Sequence, residues 1–226
     1  MIAFHHVTKK YENTAALDDI NFKVNPGEFI SIIGKSGSGK STIVKLIIGE
    51  EKPTNGRVLV GSSEVNKLTS DEMPALRRQI GTIFQDYKLL PNMTAFENVA
   101  FALEMDGHPE HEIENLVPQM LDMVGLVDKV NNFPHQLSGG EKQRVAIARS
   151  MVHRPSVVIA DEPTGNLDDI NTEEILKLLM KINEFGTTVI LATHSRHVVD
   201  SIQKRVISLS NGKIVRDEEK GKYIIV

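Results

Sequence analysis

Short apolar runs alternate along the chain with stretches whose apolar residues recur three and four positions apart, the pattern of a parallel sheet covered by helices. The run Phe29-Ile30-Ser31-Ile32-Ile33 predicts a strand ending at Gly34. The apolar residues between Ser41 and Gly49 predict a helix directly after a glycine-rich turn. Val157-Val158-Ile159-Ala160 is unbroken and apolar, as expected of a central parallel strand buried on both faces, and it stops at two acids. Between Thr172 and Gly186 the residues Ile175, Leu178, Leu179 and Ile182 fall at i, i+3, i+4 and i+7. That spacing predicts a helix with Thr172 as its cap and Gly186 as its terminator. A further β-like run, Thr187 to Ala192, ends at Thr193-His194.

The middle of the chain differs. From Asp86 to about Arg154 the strand signal fades and helical spacing takes over, as in Ile113, Leu116, Val117, Met120, Leu121 and Val124; Pro118 inside that pattern predicts a helix start or a kink. The expectation is one domain over 1–226, with an α/β core from 1–85 and 155–226 and an inserted helical subdomain from 86–154.

Composition narrows the function classes. With 226 residues, 40% hydrophobic and 25% charged, the chain is an ordinary globular one that can bury a core without staples, and its lack of cysteine excludes disulfides and thiolate metal sites. Twenty-six basic residues against 30 acidic ones give a net charge of −4, so no general attraction to nucleic acid or anionic lipid is expected. Arg77-Arg78 and Lys142 with Arg144 read as solvated faces, and no nucleic-acid partner is expected. The eight histidines show no metal-ligand spacing, and His5-His6 and His108 with His111 read as surface residues. No apolar run approaches the about 18 residues needed to span a bilayer, and Met1 to Val7 has neither a basic start nor an apolar stretch; a cytoplasmic location is expected.

Three segments carry chemistry. Gly34-Lys35-Ser36-Gly37-Ser38-Gly39-Lys40-Ser41 fits G-x-x-x-x-G-K-[ST] in full, between a predicted strand and a predicted helix. In such a loop glycines let backbone N–H groups cradle phosphates and the helix directs its positive end at them. Lys40 adds a point charge, and Ser41 offers a hydroxyl to Mg²⁺. Asp161, at the end of the second predicted strand, is placed to hold the metal, and Glu162 beside it could orient or activate a water attacking the γ-phosphate. Leu137-Ser138-Gly139-Gly140-Glu141 opens a further helical run, a second helix amino end suited to phosphate.

Together these segments resemble the ATP-binding cassette (ABC) ATPases, with Leu137 to Glu141 similar to their signature motif; the resemblance covers nearly the whole chain, in family order. It implies a P-loop core with a mostly parallel sheet, an N-terminal antiparallel β part and an inserted helical subdomain. It also implies ATP and Mg²⁺ as cofactors, with Thr42 joining residues Gly34 to Ser41 in the nucleotide-binding set. Tyr11 resembles the aromatic that stacks on adenine. Gln85 resembles the glutamine that touches Mg²⁺ and water and reports nucleotide state to the helices. His194 resembles the histidine that contacts the γ-phosphate, and Gly165-Asn166-Leu167-Asp168 the loop that crosses a dimer interface. The family pairs two cassettes head to tail, so each ATP lies between the phosphate loop of one copy and Ser138, Gly139 and Gly140 of the other; one set of motifs implies a homodimer assembled by ATP, or a pair with a similar chain. Glu141 stands where many relatives have glutamine, Ala160 replaces a bulkier residue, and Asn166 sits where alanine is frequent; none removes a group the mechanism needs.

Too few residues separate Lys40 from Leu137 for the coiled coil of chromosome-organising ATPases. The chain resembles the ATP subunit of a complex with a separate membrane protein, held at the cytoplasmic face of the membrane. Phe84 to Pro91, Glu97-Asn98-Val99-Ala100, Ala160 to Asp168 and Arg216-Asp217-Glu218 resemble the FtsE-type cell-division branch, which implies an FtsX-type membrane partner and control of cell-wall hydrolysis. ATPases of lipoprotein-release and macrolide-export complexes share the run from Ala160 to Asp168 and remain the alternative; a non-hydrolysing ATP sensor is the reading from a different class, against which Glu162 and His194 argue.

Overall fold

The structure is a computed structural model and describes residues 1–12 and 14–224. Two long strands, β1 (Ile2–Tyr11) and β2 (Thr14–Val24), pair antiparallel; β3 (Phe29–Ile33), buried throughout, runs into the glycine turn and α1 (Lys40–Ile47). β4 (Asn55–Val60) and β5 (Ser63–Glu64) return to the first pair, and α2 (Met73–Arg78) leads into β6 (Ile80–Phe84). Three helices follow: α3 (Ala95–Met105), α4 (Glu110–Met123) and α5 (Gly139–Met151). The chain then alternates β7 (Val157–Asp161), α6 (Asp169–Glu184), β8 (Thr188–Thr193) and α7 (Arg196–Ile202), and closes with the hairpin β9 (Arg205–Ser210) and β10 (Lys213–Glu218).

The strands form two sheets. The smaller has the order β2-β1-β4-β5 and is antiparallel; the larger has the order β10-β9-β3-β8-β7-β6, parallel except for the β9–β10 hairpin. Alternate residues of the central strands feed two separate cores, as the pleat requires. Ile30, Ile32, Ile159, Ile190 and Ile207 pack with Ile43 and Leu46 of α1 and with the inward face of the small sheet. Phe29, Val158, Ala160, Val189 and Leu191 pack on the other face against α3, α5 and α6. Strands covered on both faces read as unbroken apolar runs for this reason.

The fold class is the one implied by the resemblance, with antiparallel strands at the amino end and a mostly parallel sheet. Between Asp86 and Arg154 the described residues are helical or irregular, with no strand. Two sequence expectations need correction. Thr172 does not cap its helix: Asp168 does, its Oδ1 accepting from Asn171 N at 2.8 Å, so the helix starts earlier and Thr172 is buried inside it. Pro118 starts no helix; it lies within α4, where the loss of one backbone donor is tolerated. The helical segment is pinned by Asn98, fully buried, whose Oδ1 accepts from Leu90 N and whose Nδ2 donates to the carbonyls of Leu90, Met93 and Thr94. Thr94 and Glu97 form a capping box one turn away, which gives the Glu97-Asn98 pair a structural reason.

Candidate active site

The candidate residues of the α/β part leave the carboxyl ends of adjacent parallel strands, the edge of an open α/β sheet where crevices form. Gly34 follows β3, Gln85 follows β6, Asp161 and Glu162 end and follow β7, and His194 follows β8; Phe84 pairs with Asp161 and Asp161 with Ala192 in register.

The phosphate loop is tightly built. A Cβ on Gly34 would lie 2.5 Å from the Leu209 carbonyl oxygen, and Gly39, at φ +109°, would place one 2.7 Å from that of Ala16. Both positions therefore require glycine. The amino end of α1 has no side-chain cap. Lys40 is buried, its Nζ donating to the carbonyls of Gly34 at 2.8 Å and Lys35 at 3.3 Å, so its ammonium sits on the inner side of the loop.

Opposite lie the acids. Asp161 Oδ1 is buried with no hydrogen-bond partner, and burial pushes this carboxyl above its ordinary range, opposed by the Ser41 hydroxyl that bonds to it. Glu162 is held at φ +50°, a left-handed conformation rare for a side chain of this kind, and its N–H donates to the Ala192 carbonyl at 2.9 Å. This turns its carboxylate inward. Oε1 lies 2.7 Å from His194 Nδ1 and 3.8 Å from Lys40 Nζ, and Oε2 accepts from His194 N at 3.3 Å. A carboxylate only accepts, so His194 Nδ1 carries the hydrogen toward it.

Lys35, Ser36, Gly37, Gly39, Lys40, Ser41, Thr42, Gln85, Glu162 and His194 line one cavity of about 670 Å³, while Gly34 does not line it and Ser38 lines a smaller one beside Leu209. Asp161 borders an adjoining cavity of about 390 Å³ together with Ser41, Gln85 and Glu162. Gln85 is locked to Asn166: its Nε2 donates to Asn166 Oδ1 at 3.2 Å and its carbonyl accepts from Asn166 Nδ2 at 3.1 Å. Asn166, a departure from the family pattern, thereby ties two loops of the site.

Besides Gly34 and Ser38, four candidates line neither the main cavity nor the adjoining one. Tyr11 ends β1, 39% exposed, with Lys9 Nζ 4.9 Å from its ring centre, and is not among the lining residues. Ser138, Gly139 and Gly140 open α5 elsewhere. Ser138 is used in a capping box, its Oγ accepting from Glu141 N at 3.2 Å and its N–H donating to Glu141 Oε2 at 2.8 Å; the second bond, made to the carboxylate, holds the Glu141 carboxyl below its ordinary range. A Cβ on Gly140 would lie 1.9 Å from Asn171 Oδ1, so α5 meets α6 where the Asn171 side chain would have to shift to admit any larger residue.

Two residues escaped the sequence reading. Arg149, in the last turn of α5, donates to the Tyr87 and Lys88 carbonyls at 2.9 and 2.7 Å and holds both in left-handed conformations, φ +60° and +49°. Tyr223 lines the main cavity from the carboxyl end; burial, and next the Glu162 charge, raise its phenol above the usual value. No motif announces either one.

The model of the ABC transporter family matches residues 17–165. The chain belongs to the ABC transporter family. It is 53% identical over 99% of its length to the cell division ATP-binding protein FtsE of Mycobacterium tuberculosis, covering 98% of that protein, and 51% identical over 99% to FtsE of Bacillus subtilis, covering 98%. FtsE of Escherichia coli is 46% identical over 95% of this chain and 97% of its own. Among solved structures, a dimeric ATP-binding cassette in a post-hydrolysis state with ADP and Pi covers 99% of this chain and 100% of its own at a TM-score of 0.89 and 38% identity. A dimeric bacterial ABC transporter cassette matches at 0.89 and 39% identity, with 99% and 100% covered. Nucleotide binding and an ATPase activity come with membership of this family. Among the described residues no helix is long and apolar enough to cross a membrane.

Proposed function

We propose that this chain is the ATP-hydrolysing subunit of a membrane complex acting in bacterial cell division, with an FtsX-type membrane protein as its partner at the cytoplasmic face. One observation carries the chemistry: Glu162 is brought within reach of Lys40 and His194 at the mouth of the phosphate loop. The relatives named FtsE, similar over almost the whole chain, support the division branch over the lipoprotein-release and macrolide-export alternatives.

In this reading residues Gly34 to Thr42 hold the ATP phosphates, Lys40 releases the loop carbonyls for the β- and γ-phosphates, and Tyr11 stacks on adenine. The donor set fits a divalent cation, because Asp161 Oδ1 is buried without a partner while the Ser41 hydroxyl bonds to the same carboxyl. Ser41, Asp161 and Gln85 would hold Mg²⁺, which when bound supplies neutralisation of phosphate charge. Glu162 accepts a proton from the attacking water, and His194, steered by Glu162 through Nδ1, turns its other nitrogen to the γ-phosphate. Ser138, Gly139 and Gly140 of a second copy close the site, so ATP joins two chains and hydrolysis removes contacts made only in the closed state. Residues 86–154 serve as the helical subdomain that answers to the membrane partner, through Gln85 and Arg149.

The test is affinity capture of the Glu162→Gln variant from detergent-solubilised native membranes, with and without Mg-ATP, followed by mass spectrometry. Recovery of an FtsX-type protein with wall-remodelling factors supports the reading. A lipoprotein-release or drug-export permease would move the assignment to the alternative, and loss of all membrane proteins would remove the shared premise.

A further inference from the structure

We propose that Asp106, His108 and His153 form a binding site for one divalent transition-metal ion of the zinc class, at the corner where the end of α3, the turn into α4 and the end of α5 meet α2. The sequence conceals this group: His108 and His153 lie far apart along the chain and have no ligand spacing, but the fold brings one ligand atom from each of the three residues within 4.8 Å of the others. His153 Nδ1 and Asp106 Oδ2 are 3.4 Å apart. That is the edge of a tetrahedron around an ion about 2.1 Å from each ligand, the bond length of zinc with imidazole and carboxylate.

Each ligand is oriented by a second residue. The second Asp106 oxygen accepts from Arg78 Nε at 2.6 Å, which fixes the carboxylate and leaves Oδ2 toward the histidines. His108 Nδ1 lies 2.8 Å from Glu112 Oε2, so that nitrogen carries the hydrogen and Nε2 is left with its lone pair. The His153 ring is held by a hydrogen bond with the backbone of Ala102. A histidine bonded through its other nitrogen to a carboxylate or carbonyl is the usual support of a metal ligand, fixing tautomer and orientation.

The side chains are partly exposed, His108 36%, His153 20% and Asp106 16%, which gives the ion an entry path and leaves a position for water. Imidazole with one carboxylate selects zinc-class ions over Mg²⁺, which prefers an all-oxygen octahedron. An ion here would clamp the α3–α4 turn to the end of the helix that starts at Ser138, and through Arg78 to the α/β core.

The test uses the full chain, stripped with a chelator and repurified, and titrated calorimetrically with Zn²⁺ in excess Mg²⁺ without nucleotide. The expected result is one Zn²⁺ per chain, lost in His153→Ala and His108→Ala, weakened about 10- to 100-fold in Glu112→Gln, and unchanged when His5 and His6 are both replaced by alanine. Zinc should raise the melting temperature of the parent and not of the two histidine variants. Independently of any variant, Co²⁺ bound to the parent should give the intense visible absorption of a low-coordinate nitrogen and oxygen site. Failure of the stripped parent to take up Zn²⁺, unchanged uptake in the His108→Ala/His153→Ala double variant, or a Co²⁺ spectrum no stronger than the aqueous ion would overturn the proposal and leave an ion-pair network.

Discussion

Two helices in this chain have glycine at their amino ends, as the cap of α1 and as the first two residues of α5, and they treat those ends in opposite ways. At α1 no side chain caps the helix, and the buried cation Lys40 bonds the loop carbonyls. At α5 the amino end is closed on itself, with Ser138 and Glu141 exchanging both bonds of a capping box and a carboxylate in the first turn. In the proposed function the first end holds the phosphates within one chain, beside the acids and the histidine of the neighbouring strand ends, and the second, already satisfied by its own cap, meets the nucleotide held by another copy.

Substitutions at the two ends should separate these roles. Glu162→Gln should have the largest effect, lowering phosphate release about 10²–10⁴-fold while leaving ATP bound and the two copies joined, as measured by phosphate release and by mass in solution; a variant turning over at the parent rate would break the assignment. Lys40→Ala should weaken ATP binding roughly 10- to 100-fold by calorimetry, the value of bonds to a charged group. Gly140→Ala should push against Asn171 and cost about 1–3 kcal/mol of stability, lowering turnover but sparing ATP affinity of the single chain; equal loss of affinity would erase the contrast. Glu141→Gln should change least, because glutamine also completes a capping box. The Glu141 carboxyl is held low by the Ser138 amide, so its contribution is present above its unfolded value and is lost as pH falls through the folded one. In acid titrations followed by circular dichroism, the glutamine variant should lack that small loss.

The sequence was most legible where a strand is covered on both sides. Phe29–Ile33 is found at its expected bounds, and the strand at Val157 extends only to Asp161, because such strands need apolar residues at every position. The outer strands hide. β1 is broken by bulges and by His6 at φ +49°, which destroys the alternation that would reveal it. The β9–β10 hairpin carried a readable sign that went unused, Asn211-Gly212, both with φ > 0 as a tight hairpin turn demands. In the proposed site, the residues named from sequence belong to local motifs. Asn166, Arg149 and Tyr223 act through neighbours far along the chain, and only the fold pairs them.

The strand order also sets a timetable. β3, which launches the phosphate loop, pairs on both sides with strands from the last third of the chain, β8 and β9. During synthesis at about 5–20 residues per second, β3 leaves the ribosome roughly 10 to 35 s before β9 can join it. For most of that interval neither parallel neighbour is there to pair with it, and a chain released short of β9 would carry every residue of the glycine loop on a strand paired on one side only.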